Sequence, residues 1–151
     1  MPKFESTRHV NHSAADMFAL VADVEKYPLF VPLCEALRIR TRRERDGREV
    51  LVADMTVGYK AIRETFTSQV QLNPTENRIQ ASYLDGPFKH LDNRWHFTDT
   101  PGGGCNVHFY IEYEFRNRML GALMGTMFDR AFRKFSSAFE ARADAIYPKA
   151  A

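Results

Sequence analysis

Apolar and polar positions alternate along much of the chain and change to a helical spacing near its end. Between residues 116 and 147 apolar side chains recur every three or four positions, which predicts one long helix with a wide apolar face. At roughly 1.5 Å per residue such a helix is about 45 Å long, so we expect it to lie across a broad sheet. A single helix across a curved sheet can leave a hollow, and we expect any ligand to bind there.

The pattern before this helix predicts strands and two short helices. Residues 3–12 alternate as a strand at an edge of the sheet, and Ser13 then has the character of a helix N-cap. A second short helix begins near Asp23, and prolines soon end it. Residues 35–115 alternate as six antiparallel strands. The predicted fold class is therefore α+β, with a curved antiparallel sheet of about seven strands around a long C-terminal helix and two short helices after strand 1.

Turn residues set the predicted strand pairing. The Asp46-Gly47 pair predicts a hairpin, in which a plain two-residue turn puts Leu51, Ala53 and Met55 on the same face as arginines and a one-residue bulge would restore agreement. The sequence leaves that register open. The Gly58-Tyr59 pair predicts a two-residue turn. A hairpin centred on Gly102 aligns the aromatic positions of the last two strands. In that register Leu91, Asn93, Trp95 and Phe97 stand opposite Tyr113, Ile111, Phe109 and Val107.

Length and composition predict one domain over residues 1–151, with a core of ordinary size for a chain of 151 residues. A formal net charge of +2 is too small to predict a polyanion partner by itself, and we expect no DNA binding. The two cysteines, Cys34 and Cys105, match no paired metal spacing, which predicts reduced thiols and no metal site. No leader and no apolar run of about 18 residues is visible, so we expect a cytoplasmic protein.

The sequence shows no arrangement that catalysis needs. No nucleophile elbow, glycine-rich phosphate loop or pair of carboxylates is present, and the five histidines lie on strand faces dominated by charges. We therefore expect a protein that is not an enzyme and has no cofactor.

Three short motifs, spaced along nearly the whole chain, resemble one known family. They are the run from Tyr27 to Cys34, the run from Asp85 to Phe88 followed by Lys89, and Leu91 with Trp95-His96-Phe97. These motifs are similar to those of the coenzyme-Q-binding START family, which includes mitochondrial ubiquinone chaperones and a bacterial ribosome association toxin. The resemblance implies a helix-grip fold of the START or Bet v 1 kind. It also implies a tunnel between the sheet and the C-terminal helix for ubiquinone or a similar polyisoprenoid lipid, with Phe88 near its mouth.

The predicted lining of this hollow comes from the last strands and from the apolar face of the helix. On the sheet side we expect Phe66, Phe88, Leu91, Asn93, Trp95, Phe97, Phe109 and Tyr113, and on the helix side Leu120, Leu123, Met124, Met127, Phe128 and Ala131. Asn93 or Tyr113 can orient a quinone ring by donating to its carbonyl, or the two can bond to each other. A core filled with side chains, with no hollow at all, is the alternative.

The predicted entrance consists of an apolar loop with two prolines and of a tight turn. Its residues are Tyr27, Phe30, Pro32, Leu33, Gly86 and Pro87. Such a loop is typical of a lid, because prolines reduce the entropy that ordering costs, and it is equally typical of a loop that simply packs on the core.

Arginines crowd the hairpin around Asp46. The set is Arg38, Arg40, Arg42, Arg43, Arg45 and Arg48. A solvated sheet edge is the commonest meaning of such a run, and a surface for phosphates of ribosomal RNA or of anionic lipids is the other.

The resemblance, taken with these patterns, leads to three functional hypotheses. The leading hypothesis is a carrier that binds ubiquinone or a related lipid, supports respiration and contacts the inner face of the membrane peripherally. The alternative is a protein that binds the large ribosomal subunit through the arginine hairpin and blocks subunit joining. A polyketide aromatase or cyclase is the third.

Overall fold

The structure is a computed structural model that describes residues 3–148. Seven strands, three helical segments and short turns account for nearly all of it. The strands are β1 (Lys3–Val10), β2 (Cys34–Arg45), β3 (Arg48–Tyr59), β4 (Ile62–Asn73), β5 (Arg78–Asp85), β6 (Phe88–Asp99) and β7 (Cys105–Phe115). The helices are α1 (Ala14–Ala22), a 3-10 helix (Val24–Leu29) and α2 (Arg118–Ile146).

All seven strands form one antiparallel sheet in the order β1-β7-β6-β5-β4-β3-β2. The helix α2 packs on β7, β1 and α1, and the 3-10 helix packs on β2 at the opposite edge. These elements confirm the predicted fold class, including the two short helical segments after the first strand. The backbone of α2 therefore lies over the β1–β7 edge of the sheet, and the 3-10 helix covers the β2 edge.

The two α-helices, α1 and α2, each begin after a residue whose side chain caps the helix N-terminus. The Ser13 hydroxyl accepts a hydrogen bond from the Asp16 backbone N–H at 3.1 Å, which confirms the predicted N-cap of α1. The Asn117 side chain accepts from the backbone N–H groups of Met119 and Leu120, at 2.8 and 3.3 Å, and so starts α2. These caps satisfy backbone donors that have no partner within the helix.

The register of the last hairpin agrees with the sequence. Leu91 pairs with Tyr113, Asn93 with Ile111 and Trp95 with Phe109, which is the predicted register and places the aromatic residues of both strands on one face. The hairpin between β2 and β3 has the two-residue turn at Asp46-Gly47, and a register shift between Ile39 and Thr41 supplies the bulge that the pattern required. The bulge brings Ile39 opposite Ala53, so the apolar face continues beyond it.

The predicted turn at Gly58-Tyr59 is wrong by two residues. Both belong to β3, and the two-residue turn is Lys60-Ala61, with Lys60 in the left-handed region at φ 56°. A Cβ atom at Gly58 would lie 2.0 Å from the Glu35 carboxylate, the far end of a flexible side chain on the neighbouring strand β2. The Glu35 side chain therefore lies over Gly58, which is not part of the turn.

A candidate apolar ligand cavity

A cavity lies between the concave face of the sheet, the middle of α2 and the segment around the 3-10 helix. Its free volume is about 100 Å³. The sheet contributes apolar side chains from β2 to β7, and α2 contributes side chains from Phe128 to Phe139. The lining residues are Val24, Tyr27, Pro32, Leu33, Leu37, Ala53, Met55, Val57, Phe66, Ser68, Val70, Ile79, Ala81, Phe88, Leu91, Asn93, Trp95, Ile111, Phe128, Ala131, Phe132, Phe135 and Phe139.

The position of the cavity follows from where α2 touches the sheet. Over β7 the helix packs directly, since the ring centroids of Tyr113 and Phe132 are 5.2 Å apart and those of Phe109 and Phe135 are 5.8 Å apart. These contacts fill the space above β7. Towards β3, β4 and β5 the curved sheet diverges from the helix, and small side chains such as Ala53 and Ala81 leave room.

Aromatic rings form one end of the roof. Phe139 makes edge-to-face contacts with Tyr27, Phe30 and Trp95, with centroid distances of 5.3, 5.0 and 5.0 Å. The Tyr27 hydroxyl donates to the Val21 carbonyl at 2.5 Å. Burial raises the pKa of Tyr27 far above its ordinary value, and the nearby Cys34 and Asp23 add to the shift, so the phenol is neutral.

Polar groups in the lining are few, and the structure gives one of them two partners. Asn93 donates from Nδ2 to the Tyr110 carbonyl at 2.9 Å and accepts from the Trp95 indole N–H at 3.1 Å. Ser68 is buried on the neighbouring β4 strand. Tyr113 lies outside the lining and directs its hydroxyl towards the Gly125 carbonyl at 3.5 Å, so Asn93 and Tyr113 do not bond to each other.

Half of the predicted lining and entrance residues line the cavity. They are Phe66, Phe88, Leu91, Asn93, Trp95, Phe128 and Ala131, with Tyr27, Pro32 and Leu33 from the entrance segment. Leu33 has a φ of 67°, a conformation that strains a side chain of this size. Its carbonyl accepts from the Gly58 N–H at 3.0 Å, which ties the segment to β3.

The other predicted lining residues lie elsewhere. Phe97, Phe109, Tyr113 and Met124 are buried in the core without reaching the cavity, Leu120 and Met127 are half-buried, and Leu123 is 59% exposed. The sequence analysis assumed that the N-terminal third of α2 faces the hollow. The α2 side chains that line the cavity begin only at Phe128, and those before it are buried in the core, half-buried or exposed to solvent.

The remaining entrance residues support the roof from outside. Phe30 packs on Phe139, and Gly86 and Pro87 form the turn between β5 and β6. Gly86 has a φ of 139°, and a Cβ there would lie 2.7 Å from the Phe66 Cβ. The turn thereby presses Phe66 against Phe88, whose ring centroid is 5.4 Å away at the end of the cavity.

Sequence reasoning missed most of the lining from β2 to β5 and from the second half of α2, together with one residue each from the 3-10 helix and β7. The missed residues are Val24, Leu37, Ala53, Met55, Val57, Ser68, Val70, Ile79, Ala81, Ile111, Phe132, Phe135 and Phe139. The alternation of apolar positions along β3 and the phenylalanine spacing in α2 were visible signals of an inner face. Neither signal says which part of that face stays unfilled.

The arginines of the β2–β3 hairpin divide into paired and unpaired groups. Arg40 bonds to Asp54 at 2.7 Å, and Arg42 bonds to Glu49 at 2.5 Å. The other four are exposed and lie more than 4.0 Å from every carboxylate in residues 3–148; they are Arg38, Arg43, Arg45 and Arg48. A free guanidinium group remains available to an external anion.

Residues 3–148 contain neither a membrane-spanning helix nor a cluster of metal-binding side chains. No helix in that range is both long and apolar enough to cross a membrane. The same range contains no group of three or more histidine, cysteine or acidic side chains placed to hold a metal ion.

Comparison with known proteins identifies relatives of two kinds. The family model for polyketide cyclase / dehydrase and lipid transport proteins matches residues 10–140. The ribosome association toxin RatA of Escherichia coli K12 is 33% identical over 147 residues, covering 97% of this chain and 90% of its own. A coenzyme Q-binding protein COQ10 homolog B of Xenopus laevis is 27% identical over 149 residues, covering 96% of this chain and 59% of its own.

A solved structure supports the fold. The START superfamily protein of Mycobacterium smegmatis superposes with a TM-score of 0.80 at 20% identity, and the match covers 96% of this chain and 99% of that one. These findings confirm the resemblance that the three sequence motifs indicated. They do not identify a ligand for this chain, because one kind of relative is named for ribosome association and the other for coenzyme Q binding.

Proposed function

Because the chain belongs to the polyketide cyclase / dehydrase and lipid transport family, we propose that it is a carrier that binds ubiquinone or another polyisoprenoid lipid in its cavity. The observation that carries this proposal is the unfilled apolar space between the sheet and α2. Water gains few partners in such a space, whereas an apolar group is stabilised there.

The size of the space limits how much ligand it holds in this conformation. About 100 Å³ is comparable with engineered apolar cavities of about 150 Å³ that accept a benzene ring. One ring or one isoprene unit fits, and its burial contributes on the order of 2 to 3 kcal/mol. A longer tail requires the half-buried segment from Tyr27 to Leu33 to move aside, or it leaves the cavity there.

The polar lining suits a ligand with carbonyl oxygens. Asn93 uses one Nδ2 hydrogen for the Tyr110 carbonyl, and the second is left for a ligand acceptor. Ser68 offers a hydroxyl donor on a different strand. A quinone head with an apolar tail presents this combination of few acceptors and a large apolar surface.

The chemistry of the lining favours binding over catalysis. Among the described lining residues Tyr27 is the one titratable side chain, and its proton is held by the Val21 carbonyl. A cyclase or aromatase needs a group that gains or loses a proton near neutral pH. We therefore rank the polyketide reaction last.

Trp95 allows a direct test, because it is the single tryptophan of the chain and lines the cavity. A short-chain ubiquinone titrated into the protein should quench its fluorescence with saturation. The reduced quinol and an apolar hydrocarbon of equal length serve as comparisons. Absence of saturable quenching, together with no lipid in organic extracts of protein made in quinone-producing cells, would refute the proposal.

A second candidate function rests on the four unpaired arginines of the hairpin. Guanidinium groups without carboxylate partners suit RNA phosphates, and a relative of 33% identity is named a ribosome association toxin. Here the outer surface would bind the large ribosomal subunit and prevent subunit joining.

Sucrose-gradient profiles distinguish the two functions. If the second holds, excess protein reduces the 70S peak, and Arg43→Glu with Arg45→Glu removes the effect while Trp95 quenching persists. Lys60→Glu is the matched control, since Lys60 is an exposed cation at the other end of β3. Unchanged ribosome peaks with the parent protein would rule this function out.

A further inference from the structure

The outward face of the first turns of α2 is apolar. Residues 119–128 contain no charged side chain, although they begin a helix at the protein surface. Met119 is 72% exposed and Leu123 is 59% exposed, and they lie one turn apart on the same side. Ala122 and Thr126 are exposed beside them. We call these four residues the docking face.

The inward face of the same turns is apolar too. Met124 is fully buried and Phe128 is 4% exposed, so the segment is hydrophobic on all sides. Helices of this kind are normally covered on every side. The second half of α2 differs, because its outward side chains are charged and Glu140 and Asp144 bond to Arg8 and His12.

Positive charge surrounds the docking face. Arg116 and Arg118 precede it, and Arg130 continues the same helical stripe one turn beyond Thr126. These three arginines lie more than 4.0 Å from any carboxylate of residues 3–148. The nearby Asp129 is already bonded to Arg133 at 2.9 Å. The face therefore combines exposed apolar side chains with uncompensated cations.

We propose that the docking face, with Arg116, Arg118 and Arg130, binds the surface of an anionic lipid bilayer. Met119 and Leu123 enter the interface between headgroups and acyl chains, and the arginines contact lipid phosphates. The inference rests on the proposed carrier function, because Phe128 and Ala131 follow this face directly on α2 and line the cavity. Docking here places the Phe128 end of the cavity nearest the membrane that holds its ligand, whereas the segment from Tyr27 to Leu33 lies at the Phe139 end.

The charge pattern selects a bilayer over a second copy of the chain. In a two-fold symmetric dimer this face would meet itself, which brings the arginines of one copy close to those of the other. Asp129, the carboxylate next to this face on α2, is already bonded to Arg133 and does not offset that repulsion. An anionic bilayer offers apolar depth and negative charge together.

Sedimentation with vesicles tests the proposal on the whole protein. The protein should bind vesicles of phosphatidylcholine with phosphatidylglycerol, bind pure phosphatidylcholine vesicles at least tenfold more weakly, and lose affinity in high salt. The double change Met119→Glu with Leu123→Glu should weaken binding more than tenfold. Arg118→Glu and Arg130→Glu should each weaken it about fivefold or more.

Ile146→Glu is the matched control. Ile146 is also an exposed apolar residue of α2, 45% exposed, and lies roughly 40 Å along the helix from Met119 at about 1.5 Å per residue. Its change should leave vesicle binding unaltered. Circular dichroism of all variants checks the fold, and glutamate in the first turn suits the helix dipole.

Two outcomes would overturn the proposal. One is equal vesicle binding by the parent protein and the Met119→Glu, Leu123→Glu variant. The other is a concentration-dependent dimer of the parent that the same variant converts to monomer, since a second copy would then cover the face. Quenching of Trp95 by quinone without vesicles reports the cavity separately, so a parent protein that shows this quenching but binds no vesicles refutes this inference and spares the carrier function.

Discussion

Replacing Ala131 with leucine should fill the cavity. Ala131 is 6% exposed on α2 and its methyl group faces the free space. Leucine adds three carbons; if each takes up about 30 Å³, as a water molecule does in the liquid, they occupy about 90 Å³. This nearly equals the cavity volume of about 100 Å³. The change should therefore remove the ligand site without disturbing the sheet.

The free energy of unfolding gives the first measure of this change. Burial of three carbons contributes up to about 2.4 kcal/mol at about 0.8 kcal/mol for each, and imperfect fit offsets about 1 kcal/mol or more. We expect the variant to be as stable as the parent or up to about 1.4 kcal/mol more stable in urea unfolding. Large insertions into a filled core instead destabilise by about 1 to 3 kcal/mol.

Ligand binding gives the second measure, in the opposite direction. The variant should lose saturable quenching of Trp95 by a short-chain quinone. Ala141→Leu is the control, because Ala141 lies on the same helix and is exposed; it should bind as the parent does. The reasoning fails if Ala131→Leu binds quinone with parental affinity, or if it unfolds about 2 kcal/mol more easily than the parent.

Three further predictions concern the scaffold. Burial raises the pKa of both Cys34 and Cys105 to about 11, from 9.0. At about pH 8 the thiolate fraction of each should therefore be about a hundredfold lower than in an unfolded chain, and alkylation by iodoacetamide should be slower by a similar factor. Alkylation of the native protein as fast as that of the unfolded chain would contradict this. Gly86→Ala should lower the free energy of unfolding in urea by about 1 to 3 kcal/mol, because the added Cβ meets Phe66. Gly102→Ala adds a Cβ that meets nothing within 4 Å and should leave the stability unchanged. Equal effects of the two changes would contradict the predicted strain at Gly86. Asp144→Ala should lower the free energy of unfolding by about 1 to 3 kcal/mol, because it leaves His12, which is 1% exposed, without its partner at 2.7 Å. Asp129→Ala, which removes the exposed pair with Arg133, should lower it by less than about 1 kcal/mol. The reverse order would show that burial does not decide the size of the effect.

The sequence by itself determined the elements and their pairing. The spacing of apolar residues predicted seven strands and the long helix, and the Ser13 cap predicted the start of α1. The turn residues predicted the register that places Trp95 opposite Phe109. These features were predictable because they depend on contacts between residues near in sequence or on the alternation of side chains along a strand. The missed turn at Lys60 shows the limit of local signals. Gly58 belongs to β3 and lies under the side chain of Glu35, a residue distant in the chain, so it does not mark the turn.

Only the tertiary structure decided where the hollow lies and what α2 presents to solvent. The apolar pattern marks Leu123 and Ala131 alike as helix-face residues, yet the first is exposed and the second lines the cavity. The difference arises because Leu123 lies with Met119 on the solvent side of α2, whereas Ala131 lies with Phe128 and Phe132 on the side that faces the sheet. Periodicity reports which side of an element is apolar, whereas the distance between packed elements sets which apolar side chains touch each other, a ligand or the solvent.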